Sequence, residues 1–253
     1  MRAPKVVAII QARMTSTRLP GKVMKKILGK TLLELLLERV QLTSGIDEIV
    51  VALPHGKEHD IIENVVQSFG NIISIRGDEH DVLKRYYEAA IQTESDIIIR
   101  ITSDCPLYDY KIVSSWLELF KKSDISYLYA SHEKGYPLGL GAEILTFDAL
   151  NKAFHEAKDS YEREHVTPYI WRRPAIFSSL FIEYKPDLYH CRLAVDEEAD
   201  FQFVHKIYER LYIQNPQFAF AEIKDLLSKE PELLKINQHI QQKPLIPLGA
   251  AYG

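Results

Sequence analysis

Residues 5–102 repeat one pattern: a short unbroken apolar run, a polar connection, and a segment with apolar residues at helical spacing. Val6, Val7, Ala8, Ile9 and Ile10 are all apolar, the pattern of a strand buried on both faces rather than one with a wet side. A polar, basic loop follows, with a turn signal at Pro20 and Gly21. Leu32, Leu36 and Val40 then share one stripe over residues 31–42. The alternation continues with strands expected at 48–53, 72–76 and 96–102 and helices at 58–69 and 82–93. Strands separated by amphipathic helices need right-handed crossovers. The expected fold class is therefore α/β, a mostly parallel sheet with helices on both faces. In such a sheet a ligand sits beyond the carboxyl ends of the strands.

Past about residue 125 the regularity weakens. Residues 127–141 are rich in aromatics and in glycine (Gly135, Gly139, Gly141), which marks loops and an insertion over the site. Helices are expected at 147–157, 162–171, 199–211 and 221–236, and strands at 177–184 and 192–195. A length of 253 residues suits one large domain. The expected division is a single domain over 1–240, an insertion at about 127–190 for binding or subunit contact, and a tail over 241–253.

A net charge of −4 argues against a protein that coats nucleic acid, because such proteins cluster a basic excess on one face. Small anions need only a local basic pocket. Cys105 and Cys191 stand far apart with no partner at metal spacing, so neither a disulfide framework nor a zinc site is expected. No segment approaches the roughly 20 apolar residues of a membrane span, and the first apolar run is too brief for a signal peptide. A cytoplasmic protein with no membrane partner is expected.

The basic pocket lies directly after the first strand, where residues 11–22 read Gln-Ala-Arg-Met-Thr-Ser-Thr-Arg-Leu-Pro-Gly-Lys. Arg13, Arg18 and Lys22 share one loop over the crevice, where guanidinium forks, an ammonium and backbone N–H groups can neutralise a polyphosphate. The plainer reading is a solvated basic loop. Other nucleotide motifs fail: Gly29-Lys30-Thr31 ends like a P-loop, but Met24 stands where its first glycine belongs, and no Gly-x-Gly-x-x-Gly follows the first strand. Two carboxylates, Asp104 and Asp196, each end an apolar run and could meet across the sheet. Mg²⁺ takes one or two protein carboxylates and fills its octahedron with phosphate and water. Either aspartate could instead cap a helix.

Residues 11–22 resemble the Ala-Arg-x-x-Ser-x-Arg-Leu-Pro-x-Lys signature of cytidylyltransferases that activate acidic sugars, as in CMP-Kdo synthetases. Gln11, where those enzymes carry proline, points to the SpsF-like branch linked to spore-coat polysaccharide. Further similar stretches follow in order at 76–85, 100–107, 161–169 and 193–200, so the likeness covers about the first four-fifths of the chain. Ser103 departs from the glycine usual before Asp104.

The resemblance implies a glycosyltransferase-A-type nucleotidyltransferase fold and a Mg²⁺-dependent cytidylyltransferase. Its partners would be CTP and a small acidic or phosphorylated acceptor, and a homodimer contact could use the aromatic stretch from Tyr127 to Tyr136. It implies that Gln11, Ala12, Arg13, Ser16, Arg18 and Lys22 wrap the triphosphate, with Arg13 and Lys22 as the catalytic cations. Gly77, Asp81 and Val82 would line the base and ribose, and Thr102 and Ser103 would approach from the next strand. It assigns the metal to Asp104 and Asp196. Tyr136, Glu143, Arg163, His165 and Tyr169 are candidates for the acceptor pocket, with plainer readings beside them: a solvated face for Arg163, packing or a subunit contact for Tyr169, a structural histidine for His165. The alternatives are a nucleotide-sugar-dependent glycosyltransferase, although Asp104-Cys105-Pro106 lacks the second aspartate of an Asp-x-Asp motif, and a non-catalytic nucleotide-binding subunit.

Overall fold

A computed structural model of the chain describes residues 2–130, 137–183, 188 and 191–242. The chain order is β1 (Val6–Gln11), β2 (Lys26–Ile27), β3 (Lys30–Thr31), α1 (Leu32–Val40), β4 (Glu48–Pro54), α2 (Asp60–Ser68), β5 (Ile72–Gly77), α3 (Val82–Gln92) and β6 (Ile97–Thr102). It continues with α4 (Tyr110–Lys122), β7 (Tyr127–Ala130), β8 (Glu143–Thr146), α5 (Phe147–Glu156), α6 (Ser160–His165), α7 (Pro168–Trp171), β9 (Ser179–Ile182), α8 (Glu198–Leu211) and α9 (Phe220–Lys229).

The main sheet runs β5-β4-β1-β6-β8-β7-β9, with β2 and β3 forming a separate small hairpin. The strands β5, β4, β1 and β6 are parallel; β8 then runs antiparallel to both β6 and β7, and β9 is parallel to β7. From β1 the chain steps outward to β4 and β5, then returns to the other side of β1 as β6. The switch in direction leaves a crevice beyond the ends of β1 and β6, where Gln11 lies opposite Thr102. The loops leaving these two strands are tied by Ser103 N–H donating to the Gln11 carbonyl at 3.1 Å.

Because β1 is apolar at successive positions, it serves two cores. Val6, Ala8 and Ile10 face a layer containing α1, α2, α4, α8 and α9, while Val7 and Ile9 face α3, α5 and α7. Local signals set the helix starts. Thr31 and Glu34 form a capping box on α1, and the carboxylates of Asp81 and Asp109 accept the N–H groups of Lys84 and Ile112 at the heads of α3 and α4. Among the described residues no helix is long and apolar enough to cross a membrane.

The second half departs from the sequence expectations in identifiable ways. The helix expected at 162–171 is two helices: Val166 sits at φ 73°, and α7 restarts with Pro168, which has no N–H to continue α6. Residues 192–195 form no ladder, because Leu193 N–H and Val195 N–H donate to the carbonyls of Leu138 and Asp104 in connecting loops. The helix expected to reach Ile236 stops at Lys229, ahead of Pro231 and a short 3-10 turn. Residues 127–130, expected in a loop region, are the inner strand β7; residues 131–136, including Tyr136, lie outside the described residues. Gly139 is required by close approach: at φ 97°, a Cβ there would stand 2.5 Å from the Ala194 nitrogen.

Candidate active site

The loop after β1 is shaped by its own backbone. Ala12 N–H donates to Ala52 O at 3.1 Å and prolongs the β1–β4 pairing, and Gly21 N–H donates to Met14 O at 2.9 Å and closes the loop. Gly21, left-handed at φ 65°, turns the chain into a 3-10 turn over Lys22–Met24 and sends Lys22 back over the crevice. All three ammonium protons of Lys22 have acceptors: Asp104 Oδ2 at 3.1 Å, Asp196 Oδ1 at 3.0 Å and Val195 O at 2.8 Å. Arg18 adds a second cation, with Nη2 2.9 Å from Asp196 Oδ1. Asp104 arrives from the end of β6 and Asp196 from the connection before α8; Val195 N–H donating to Asp104 O at 2.7 Å joins the two segments.

The electrostatics are those of a tight, partly covered cluster. Burial pushes the Asp104 carboxyl up, but the Lys22 ammonium together with hydrogen bonds from Thr102, Lys22 and Cys105 outweighs it and holds the pKa below the ordinary carboxylate value. Burial pushes Lys22 down, and Asp104 with Asp196 reverse the sign, leaving it raised and charged.

Behind Asp196 lies a scaffold that the motifs alone do not indicate. Fully buried Asp200 accepts from Arg192 Nε and Nη2, from the backbone N–H groups of Asp196 and Glu197, and from Asn237 Nδ2. Arg192 also donates to Asp196 Oδ2 at 3.2 Å. The spacing of Arg192, Asp196 and Asp200 at steps of four was the available signal.

The structure thus brings Arg18, Lys22, Asp104 and Asp196 together, with Ala12 and Ser103 buried at the floor. Arg13 makes no ion pair among the described residues, and Ser16 lies half-buried in the same loop. Gln11 accepts from Arg100 Nη2 at 3.3 Å, and Thr102 Oγ1 lies 3.3 Å from Cys105 Sγ. Gly77 packs on Arg85, whose Cγ would be 3.1 Å from a Cβ there, and Val82 is buried in the core.

Other expected site residues find partners within the protein. Asp81 caps α3 with one oxygen and accepts from Arg163 Nε at 2.8 Å with the other, while Arg163 Nη1 donates to the carbonyls of Phe154 and Ala157. Glu143 takes hydrogen bonds from Arg100, Tyr127 and Thr167. Tyr169 donates to Glu156 and lies under the Arg173 guanidinium, and His165 packs at a tilt against Tyr161 with its pKa lowered, chiefly by burial.

For a divalent cation the test is the donor set. Asp104 and Asp196 present hard carboxylate oxygens on two sides of the Lys22 ammonium, which stands in for positive charge there; this suits Mg²⁺ completed by phosphate and water.

A mostly parallel sheet with a cationic loop over its switch point is the architecture of a class that binds phosphate-bearing ligands. Within it, the family profile described as Cytidylyltransferase matches residues 7–243, and the chain belongs to that family. It is similar to an uncharacterized protein of Methanocaldococcus jannaschii, 37% identical over 241 residues, covering 94% of this chain and 97% of that protein. The spore coat polysaccharide biosynthesis protein SpsF of Bacillus subtilis is 29% identical over 236 residues, with 90% and 95% covered. A solved cytidylyltransferase from Leptospira borgpetersenii superposes with a TM-score of 0.88 at 29% identity, covering 96% of this chain and all of that one.

Proposed function

We propose that this enzyme transfers CMP from CTP to an acidic sugar or phosphorylated polyol used in surface polysaccharide, releasing pyrophosphate. The observation that carries the reading is the Lys22 ammonium held between Asp104 and Asp196, beside Arg18, at the crevice beyond β1 and β6. The likeness to SpsF supports the polysaccharide context.

An acceptor oxygen attacks the α-phosphorus, the bond from that phosphorus to the β-bridging oxygen breaks, and the electron pair leaves with pyrophosphate. Arg13, Arg18 and Lys22 exchange internal or solvent contacts for phosphate oxygens and stabilise the leaving group's charge. Arg192 and Asp200 hold Asp196 in place as Lys22 turns toward the phosphates. Asp104 and Asp196 would hold Mg²⁺, which when bound neutralises phosphate charge and lowers the pKa of an acceptor hydroxyl. A phosphate acceptor needs no base.

In this reading residues 1–240 work as one domain in the cytoplasm, and the stretch 127–190 serves the acceptor or a second copy of the chain. The test is pyrophosphate release from each nucleoside triphosphate against a panel of acidic sugars and polyol phosphates. Release is expected with CTP and one acceptor class. Sugar transfer from a nucleotide sugar, without pyrophosphate, would replace the reading with a glycosyltransferase, and no turnover with any pair would leave a binding subunit.

A further inference from the structure

The loop bearing Arg18 and Lys22 has a single neck. Met14 closes it through its carbonyl, which accepts from Gly21, and anchors it through its N–H, which donates to His59 Nδ1 at 3.2 Å. His59 ends the 3-10 turn Lys57–His59 beyond β4, and its side chain is fully buried. The next loop residue, Thr15, donates its hydroxyl to Glu79 beyond β5. Two successive loop residues are therefore held from two strand ends.

Accepting at Nδ1 selects the neutral tautomer with its proton on Nε2. That nitrogen is buried with no hydrogen-bond partner among the described residues, 3.7 Å from Glu58 Oε1. Glu58, His59 and Glu79 place one ligand atom each within 4.8 Å of one another. With the proton on Nε2, however, the imidazole shows this trio a donor and no lone pair, so a metal could bind only by breaking the Met14 bond. Nor does packing account for the imidazole, since an apolar ring of similar size would fill the space without burying the unpaired Nε2–H. What the ring supplies is the acceptor at Nδ1.

We propose that His59 is a positioning residue for the nucleotide loop: its Nδ1 fixes the neck at Met14 and so sets where Arg13 and Lys22, on either side of the neck, meet the triphosphate. This rests on the reading of the loop given above. Protonation would put a second donor against Met14 N–H and release the anchor. Burial most of all, then Arg76 and Arg85, oppose that protonation, while Glu58 and Glu79 favour it; the net effect lowers the His59 pKa, so the anchor holds at neutral pH and fails on acidification.

Three full-length variants separate this role from packing. His59→Asn places an amide oxygen near the position of Nδ1, His59→Gln carries its amide one bond further out, and His59→Phe keeps the ring without an acceptor. The readouts are amide hydrogen exchange over residues 13–21 without nucleotide, and KM and kcat for CTP. Phe and Gln should lose protection at Met14 and raise KM about tenfold with kcat changed less than about threefold, the effect of one lost charge-neutral anchor. Asn should keep protection and KM near wild type, and it should lack the acid limb that wild-type kcat/KM shows. Wild-type protection and KM in His59→Phe would overturn the proposal, as would His59→Asn being as impaired as Phe. The exchange readout needs no nucleotide, so a wild-type protein that fails to use CTP removes the function proposed above while the His59 anchor is still decided by protection.

Discussion

Two clusters of paired charges stand on the central strands, one of Arg and Glu and one of Lys, Arg and Asp. Between β6 and β8, Arg100 and Glu143 are register neighbours; the guanidinium is shared with Gln11, and the carboxylate is taken up by Arg100, Tyr127 and Thr167. This cluster is closed and joins an antiparallel strand to a parallel sheet. Beyond β1 and β6, Lys22, Arg18, Asp104 and Asp196 are also paired, but the Arg18 side chain is 38% exposed and that of Asp104 27%, and Arg13 of the same loop makes no ion pair among the described residues. Residue type does not separate a structural ion pair from a binding site; spare cations at an opening do.

The comparison breaks most sharply at Glu143. Glu143→Ala leaves Arg100 buried without its carboxylate and should cost about 3–5 kcal/mol in denaturant unfolding. A normal midpoint with lost turnover would move Glu143 into the working crevice. Asp104→Asn keeps the volume and the fold but should lower turnover at least about a hundredfold, measured as pyrophosphate release, because a carboxylate that would hold the metal at the phosphates is gone. Near-normal turnover would make Asp104 a structural group. Arg13→Ala should weaken CTP binding by about 1.5–3 kcal/mol, roughly ten- to a hundredfold, with an unchanged melting point. Unchanged affinity would return the loop to a solvated surface.

The smallest effect is on acid stability. Asp104 has its folded pKa below the unfolded one, so the folded state binds fewer protons; the stabilisation is present above the ordinary carboxylate value and is lost as the pH falls through the lowered one. Wild type should lose on the order of 1 kcal/mol more than Asp104→Asn between neutral pH and about pH 3, read from denaturant midpoints. Equal losses would mean the pair is not formed in solution.

Legibility in the sequence followed the same divide. The buried strands β1, β4 and β6 and the loop between β1 and α1 were readable because unbroken apolar runs and clustered cations are local signals. The helix α4 was readable in principle, since Val113, Trp116, Leu117 and Phe120 keep helical spacing behind the Asp109 cap. The strand β8 was not, because its four residues are too few to show a period. The pairing of Arg163, expected at the acceptor, with Asp81 was not legible, because the two lie 82 positions apart. His59 gave no motif, and Asp200, although inside the similar stretch 193–200, gave no sign of its role, as each acts through contacts that only the tertiary fold creates.

The most direct test of the open cluster is calorimetric titration of the wild-type protein with CTP and with ATP, each with Mg²⁺ and then with EDTA. The account predicts that CTP binds at least about tenfold more tightly than ATP, a difference of about 1.4 kcal/mol, and that EDTA weakens CTP binding. ATP binding as tight as CTP, or CTP binding untouched by EDTA, would contradict it.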